Sequence, residues 1–264
     1  MKKNLLKSLC IALLLGGTAQ TTTAQGIVVN KTDGTKVYYK ASEVQSVGVY
    51  GYGEEPEPDP DPEGHEWVDL GLPSGTKWAT CNVGASKPEE YGDYFAWGET
   101  ITKSTYDWST YKWCNGSSKT MTKYCTLSNY GYNGFTDNLT ELQPADDAAT
   151  ANWGSGWQMP SLAQIKELYN SSYTTTEWTQ VNGVNGRKVT SKSNGNSIFL
   201  PAAGFRNGMS IDYAGSYGHY WSRLLNTSYP DITYGGLHFY SGNIDWSNYS
   251  RYCGQSVRPV RVLE

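Results

Sequence analysis

Between Ser193 and Leu263 lie 71 residues without a single lysine or glutamate, in which Tyr, Ser, Gly and Asn supply 8, 10, 9 and 6 positions. That palette suits recognition better than bond-making. Tyrosine brings a large contact area at low entropic cost, while Ser, Gly and Asn adapt their hydrogen bonding to a partner. In Leu237-His238-Phe239-Tyr240, a period of two puts Leu237 and Phe239 in a core and His238 and Tyr240 on the opposite, accessible face. The candidate ligand contacts are Tyr213, Tyr217, His219, Arg223, Asn226, Asp231, Tyr234, His238, Tyr240, Asn243, Asp245, Tyr249 and Tyr252. Aromatic faces beside hydrogen-bonding groups fit either a glycan or a protein surface.

Catalytic patterns are sparse. No GxSxG elbow, phosphate loop or HExxH occurs. Cys253 with His219 or His238 could build a nucleophile pair, but no spacing demands it. Asp146 and Asp147 are adjacent, and neighbours on a helix point about 100° apart, so capping explains them better than paired acid-base work. The carboxylate pair of a glycosidase would need a cleft. No CxxC or HxxxH spacing marks a metal site, and His65, His219 and His238 stand at no ligand spacing from a cysteine. No cofactor is expected. Calcium stays open, because Gln143-Pro144-Ala145-Asp146 and Tyr229-Pro230-Asp231 are similar to a Gln-Pro-Asp sugar-binding triplet, although neither has a Trp-Asn-Asp partner.

The elements that must carry these residues begin with an exported start. Lys2, Lys3 and Lys7 precede an apolar stretch from Leu9 to Leu15, and a signal peptide cut near Ala24 is expected. Removing it takes three lysines and no acid, leaving 18 bases against 25 acids, a formal charge of −7. Six of the acids sit in the segment 54–63, so the rest of the chain is nearly neutral and offers no basic field for nucleic acid or an anionic membrane. No later stretch approaches the roughly 20 apolar residues that span a bilayer. Residues 25–50 read as a small hairpin unit, with Ile27-Val28-Val29 and Val37-Tyr38-Tyr39 around Asp33-Gly34. Residues 51–64 alternate proline with acids and read as an extended, semi-rigid linker.

Residues 65–264 hold all ten tryptophans and read as one α+β domain, an irregular antiparallel sheet with two short helices. One helix starts at a capping box, Ser161 with Gln164, and a second covers Asp146 to Asn152. Strands are expected over 187–190, 197–200, 219–225, 236–240 and 256–263. Cys81, Cys114, Cys125 and Cys253 allow three pairings, with Cys114–Cys125 the first expectation and four unpaired thiols the alternative.

Five ordered segments carry a family resemblance. They are Val68-Asp69-Leu70-Gly71-Leu72-Pro73-Ser74-Gly75-Thr76-Lys77-Trp78-Ala79, Gly156-Trp157-Gln158-Met159-Pro160-Ser161, the stretch from Leu200 to Gly208, Tyr220-Trp221-Ser222, and Gly254-Gln255-Ser256-Val257-Arg258-Pro259-Val260-Arg261. Together they resemble the Fibrobacter succinogenes major paralogous domain, a family abundant in exported proteins of Bacteroidota. The resemblance implies a C-type-lectin-like fold, similar to that of formylglycine-generating enzymes. It does not bring their activity, because the catalytic cysteine pair of those enzymes has no counterpart on this sequence. The same fold serves as the variable protein of diversity-generating retroelements, mutagenised at adenines. From Asn226 to Cys253 only Trp246 departs from the residues an AAC codon can reach that way. The expectation is an exported or cell-surface binding module, against a structural role in an adhesive assembly or an enzyme of the formylglycine-generating type.

Overall fold

The structure, a computed structural model, describes residues 26–30, 35–40 and 64–261. The expected signal peptide, the Asp33-Gly34 turn and the linker up to residue 63 lie outside the described residues. The chain divides into two compact units, Met1–Pro58 and Asp59–Glu264. In the first, β1 (Gly26–Asn30) and β2 (Lys36–Lys40) pair antiparallel with Val28 opposite Tyr38. The β-branched and aromatic residues that favour a pleated backbone leave Val28, Tyr38 and Tyr39 exposed.

The second unit runs β3 (Trp67–Asp69), β4 (Lys77–Ala79), α1 (Ala148–Trp153), β5 (Trp157–Gln158), α2 (Leu162–Leu168), β6 (Thr174–Val181), β7 (Val184–Ser191), β8 (Ser197–Pro201), β9 (Phe205–Asn207), β10 (Ser210–Asp212), β11 (Gly218–Tyr220), β12 (Gly236–Tyr240), β13 (Asn243–Ser247) and β14 (Val260–Arg261). Four sheets result, ordered β3-β4-β14-β5, β6-β7-β8, β9-β10 and β11-β12-β13, and every strand pairing in them is antiparallel. With two short helices among them, the architecture is α+β.

Both helices start where the caps dictate. At α2 the Gln164 amide donates to Ser161 Oγ at 3.2 Å while the Ser161 amide donates to Gln164 Oε1 at 2.8 Å, the reciprocal capping box. Ile165 and Leu168 then face the core. The first helix begins two residues later than expected. Residues Pro144–Asp146 form a separate 3-10 turn, and Asp147 is the cap, its Oδ1 accepting from the amides of Ala149 at 2.8 Å and Thr150 at 3.1 Å.

Two expected strands are shorter than the sequence suggests. The run from His219 is strand only to Tyr220, and the run from Ser256 is strand only at Val260–Arg261. Between these pieces, Trp221 and Val257 turn into a core of Trp97, Trp157 and Phe95, so only single bridges such as Tyr220 with Ser256 persist. Burial of a large aromatic outweighs continued pairing at such points, since each ring removes some 150–250 Å² from water.

Three guanidiniums organise the irregular remainder. Arg258 is buried and donates to Asn82 Oδ1 at 2.8 Å and to the carbonyls of Ala79, Thr80 and Phe199. Arg251 is buried against Trp97, Tyr111 and Tyr124 and donates to the carbonyls of Lys123, Tyr124 and Pro230 and to the Tyr111 hydroxyl. Arg187 grips the β12–β13 turn through the carbonyls of Tyr240 at 2.6 Å and Asn243 at 3.1 Å. Each ties carbonyls of loops and strand ends together from a buried position, where a polar group left unpaired would be costly.

The expected Cys114–Cys125 bridge does not form, and Cys81, Cys114, Cys125 and Cys253 are all free thiols. Cys114 Sγ donates to the Trp108 carbonyl at 3.1 Å and Cys125 Sγ to the Leu127 carbonyl at 3.2 Å, so each thiol is satisfied within its own turn.

Candidate ligand-binding surface

The sheet β11-β12-β13 builds the site. Its registers place His219 opposite His238, His238 opposite Asp245, and Tyr240 opposite Asn243. On the inner face Tyr220, Leu237, Phe239 and the partly buried Ile244 pack toward α2. The strands approach closely because Gly218 faces Phe239, and a Cβ there would stand 2.1 Å from the ring. The outer face gathers rings. His219 and His238 have centroids 4.9 Å apart, and Tyr217 lies 5.6 Å from His238 with planes 20° apart, and 5.4 Å from Tyr240. Tyr249 meets His219 edge-on at 4.9 Å, as does Phe205 from β9. Tyr213 stacks beside Phe205 at 6.0 Å and meets Tyr217 at 5.1 Å.

The β10–β11 connection aims the outermost ring. Tyr213 takes a left-handed φ of 61°, and its carbonyl accepts the amides of Ser216 and Tyr217, both at 3.0 Å. A bulky residue there is strained. Its ring is 60 % exposed. Beneath it, Gly204 has φ +63°, and a Cβ would come within 2.1 Å of the Asp212 carbonyl, so the turn closes only over glycine.

Six of the thirteen sequence candidates therefore converge: Tyr213, Tyr217, His219, His238, Tyr240 and Tyr249. One of them is not the accessible contact it was expected to be. His219 is only 4 % exposed, because Phe205, Tyr249 and His238 close over it. Neither of its ring nitrogens has a hydrogen-bond partner. Burial, then the neighbouring His238, pushes its pKa down to about 3, and burial also lowers that of His238 against the opposing pull of Asp245. Both imidazoles are neutral at ordinary pH.

Of the other seven, Asp245 and Asn243 lie opposite His238 and Tyr240 in the ladder but are engaged by other groups, and the remaining five lie apart from this surface. Arg223 binds Glu141 Oε2 at 3.0 Å and the Met159 carbonyl, tying two loops together. Asn226 accepts the amides of Ser228 and Tyr229 in an Asx turn, and the Asp231 carbonyl accepts the Arg251 amide. Tyr234 packs on Trp246, Asp245 accepts from the Tyr169 hydroxyl at 3.4 Å, and Tyr252 packs on Trp108. The Asn243 carbonyl is held by Arg187. Phe205 was missed by sequence reasoning. It lies 14 residues before His219 with no shared periodicity, and only the sheet geometry brings it there.

Other chemistry is occupied elsewhere. The Asp146 carboxylate of the first calcium-like triplet accepts from Lys123 Nζ at 2.6 Å and the Tyr124 hydroxyl at 2.7 Å, with Lys112 Nζ at 3.8 Å. Among the described residues, no group of three or more His, Cys, Asp or Glu side chains is placed to hold a metal. Burial pushes the Cys253 thiol up to about 11, which leaves it a poor nucleophile. A groove of about 380 Å³ lies on the outer face of β6-β7-β8, floored by Phe199 and Ile198 beside Pro88, Glu177 and Lys188. None of the sequence candidates lines it. No helix among the described residues is long and apolar enough to cross a membrane. Comparison with known proteins found no matching family model, no similar curated protein and no similar solved structure.

Proposed function

We propose that the chain is an exported or cell-surface binding module that presents Tyr213, Tyr217, His238 and Tyr240 to a glycan or protein ligand. The observation that carries this reading is the convergence of six candidate residues and Phe205 from four separate segments onto one face of β11-β12-β13. Asp245 faces His238 across the strand pair, and the nearby Arg187 guanidinium is buried and engaged by the carbonyls of Tyr240 and Asn243, so the preferred ligand is uncharged or cationic at the contact. Tyrosine hydroxyls and neutral imidazoles supply donors and acceptors at the rim of an apolar area, the composition of energetic centres in protein interfaces.

The C-type-lectin-like fold implied by the sequence resemblance accords with an irregular antiparallel α+β domain. The diversified-segment reading is a further proposal, since 226–253 contains His238, Tyr240 and Tyr249. Arg251 lies in the same segment, fully buried, and would have to be spared from change.

The test is binding of the purified full chain to glycan arrays and to cell-surface protein fractions, compared with Tyr217→Ala and Tyr240→Ala. Loss of a central aromatic contact costs about 2 kcal/mol, or roughly thirtyfold in Kd. Unchanged binding by both variants would remove this surface from consideration.

A further inference from the structure

We infer that His219 and His238 form a two-imidazole site for a borderline divalent ion of the Zn²⁺ class, with its remaining coordination positions open on the outer side. Three observations lead there. The two histidines are directly opposed across β11 and β12, where side chains on one face stand closest. Their ring centroids are 4.9 Å apart. Two imidazoles sharing a tetrahedral ion, with metal–nitrogen distances of about 2.0 Å, have centroids roughly 5 Å apart. Finally, His219 is 4 % exposed and both its nitrogens lack a partner.

A buried polar ring without any hydrogen bond is rare, because its desolvation goes uncompensated. An ion held between the two rings would satisfy one nitrogen of each. Neutral imidazole is the form that binds metal, and both rings are held neutral by burial.

No third acid, thiol or imidazole of the described residues completes the shell. The ion would keep two positions for water or for a donor atom of a bound molecule, the open arrangement of non-structural zinc sites. His238 is only partly buried and gives the ion its way in. Tyr217 and Tyr249 pack against both rings and fix their orientation. The site shares His238 with the ring surface proposed above but needs no ligand there to hold the ion.

The experiment is calorimetric titration of the full chain with Zn²⁺ near pH 7, using wild type, His238→Phe, His219→Phe, His65→Phe and Tyr213→Ala. Phenylalanine keeps the ring packing and removes the nitrogens. One site is expected in wild type, unchanged in His65→Phe and Tyr213→Ala, and at least tenfold weaker in His238→Phe and His219→Phe. Should His219→Phe fail to fold, the half-exposed His238 position decides alone. Absence of a site in wild type, or undiminished binding by His238→Phe, overturns the inference. Zinc binding retained in Tyr213→Ala while ligand binding is lost would separate this site from the surface above.

Discussion

Two substitutions at Tyr213 separate the strain in its backbone from the contribution of its ring. The residue sits at φ 61°, where a side chain bearing a Cβ costs about 1–2 kcal/mol relative to the ordinary conformation. Glycine escapes that cost but loosens the unfolded chain, which returns about 0.4–1 kcal/mol. Tyr213→Gly and Tyr213→Ala both delete the contacts with Phe205 and Tyr217. Their difference is then the backbone alone, and the glycine variant should be more stable by about 0.5–1 kcal/mol. In urea, with a slope near 2 kcal/mol per molar, that is a midpoint shift of about 0.3–0.5 M. Fluorescence-monitored unfolding of both variants measures it, provided their slopes agree. An alanine variant as stable as the glycine variant would show that the left-handed conformation is not imposed by the fold. Both variants should bind ligand equally weakly, since both lack the ring.

Truncating a buried guanidinium should be far more costly. Arg258→Ala leaves the carbonyls of Ala79, Thr80 and Phe199 without their donor, and a loss of about 3–5 kcal/mol is expected by denaturant unfolding; a loss under 1 kcal/mol would contradict the role assigned to it. Asp147 gives a pH signature. Burial pushes its pKa from 3.8 up to about 6, although three backbone amides partly offset that rise. Between those values the folded chain holds a proton that the unfolded chain has released, so stability falls as pH rises through the window, by up to about 3 kcal/mol above pH 6. Asp147→Asn should flatten this component, and an identical pH profile in variant and wild type would refute the assignment.

Local chemistry was readable wherever a few adjacent residues settle the outcome. The Ser161–Gln164 box starts α2, and Leu237 and Phe239 face the core as their alternation requires. What the sequence hid depends on distant partners. β6 reads as a polar, threonine-rich run, yet it pairs with β7 along its whole length because Trp178 and Thr174 pack inward. The run at His219 looks like a longer strand, but Trp221 is pulled into a core that includes Phe95 and Trp97, more than a hundred positions away, and Trp157. The Cys114–Cys125 separation allowed a bridge, and thiol-to-carbonyl bonds inside each turn took its place.

The candidate surface was legible as composition but not as geometry, and the five motifs behind the family resemblance show why. Their residues are scaffold: Trp78 and Trp157 are buried beside β14, Ala202 and Ala203 are fully buried, and Arg258 braces three carbonyls. Such motifs specify the frame, and of the residues that gather at the candidate surface only Phe205 belongs to one of them. A lysine- and glutamate-free stretch therefore located the surface within 71 residues, while the choice of six from thirteen waited on strand register. His219 marks the limit of that approach. The sequence offered it as a ligand contact, and strand register does set it opposite His238, but Phe205 and Tyr249 arrive from other segments and bury it. A histidine in that position can act on a ligand only through an atom small enough to reach between the rings, and a metal ion meets that requirement where a sugar or a peptide does not.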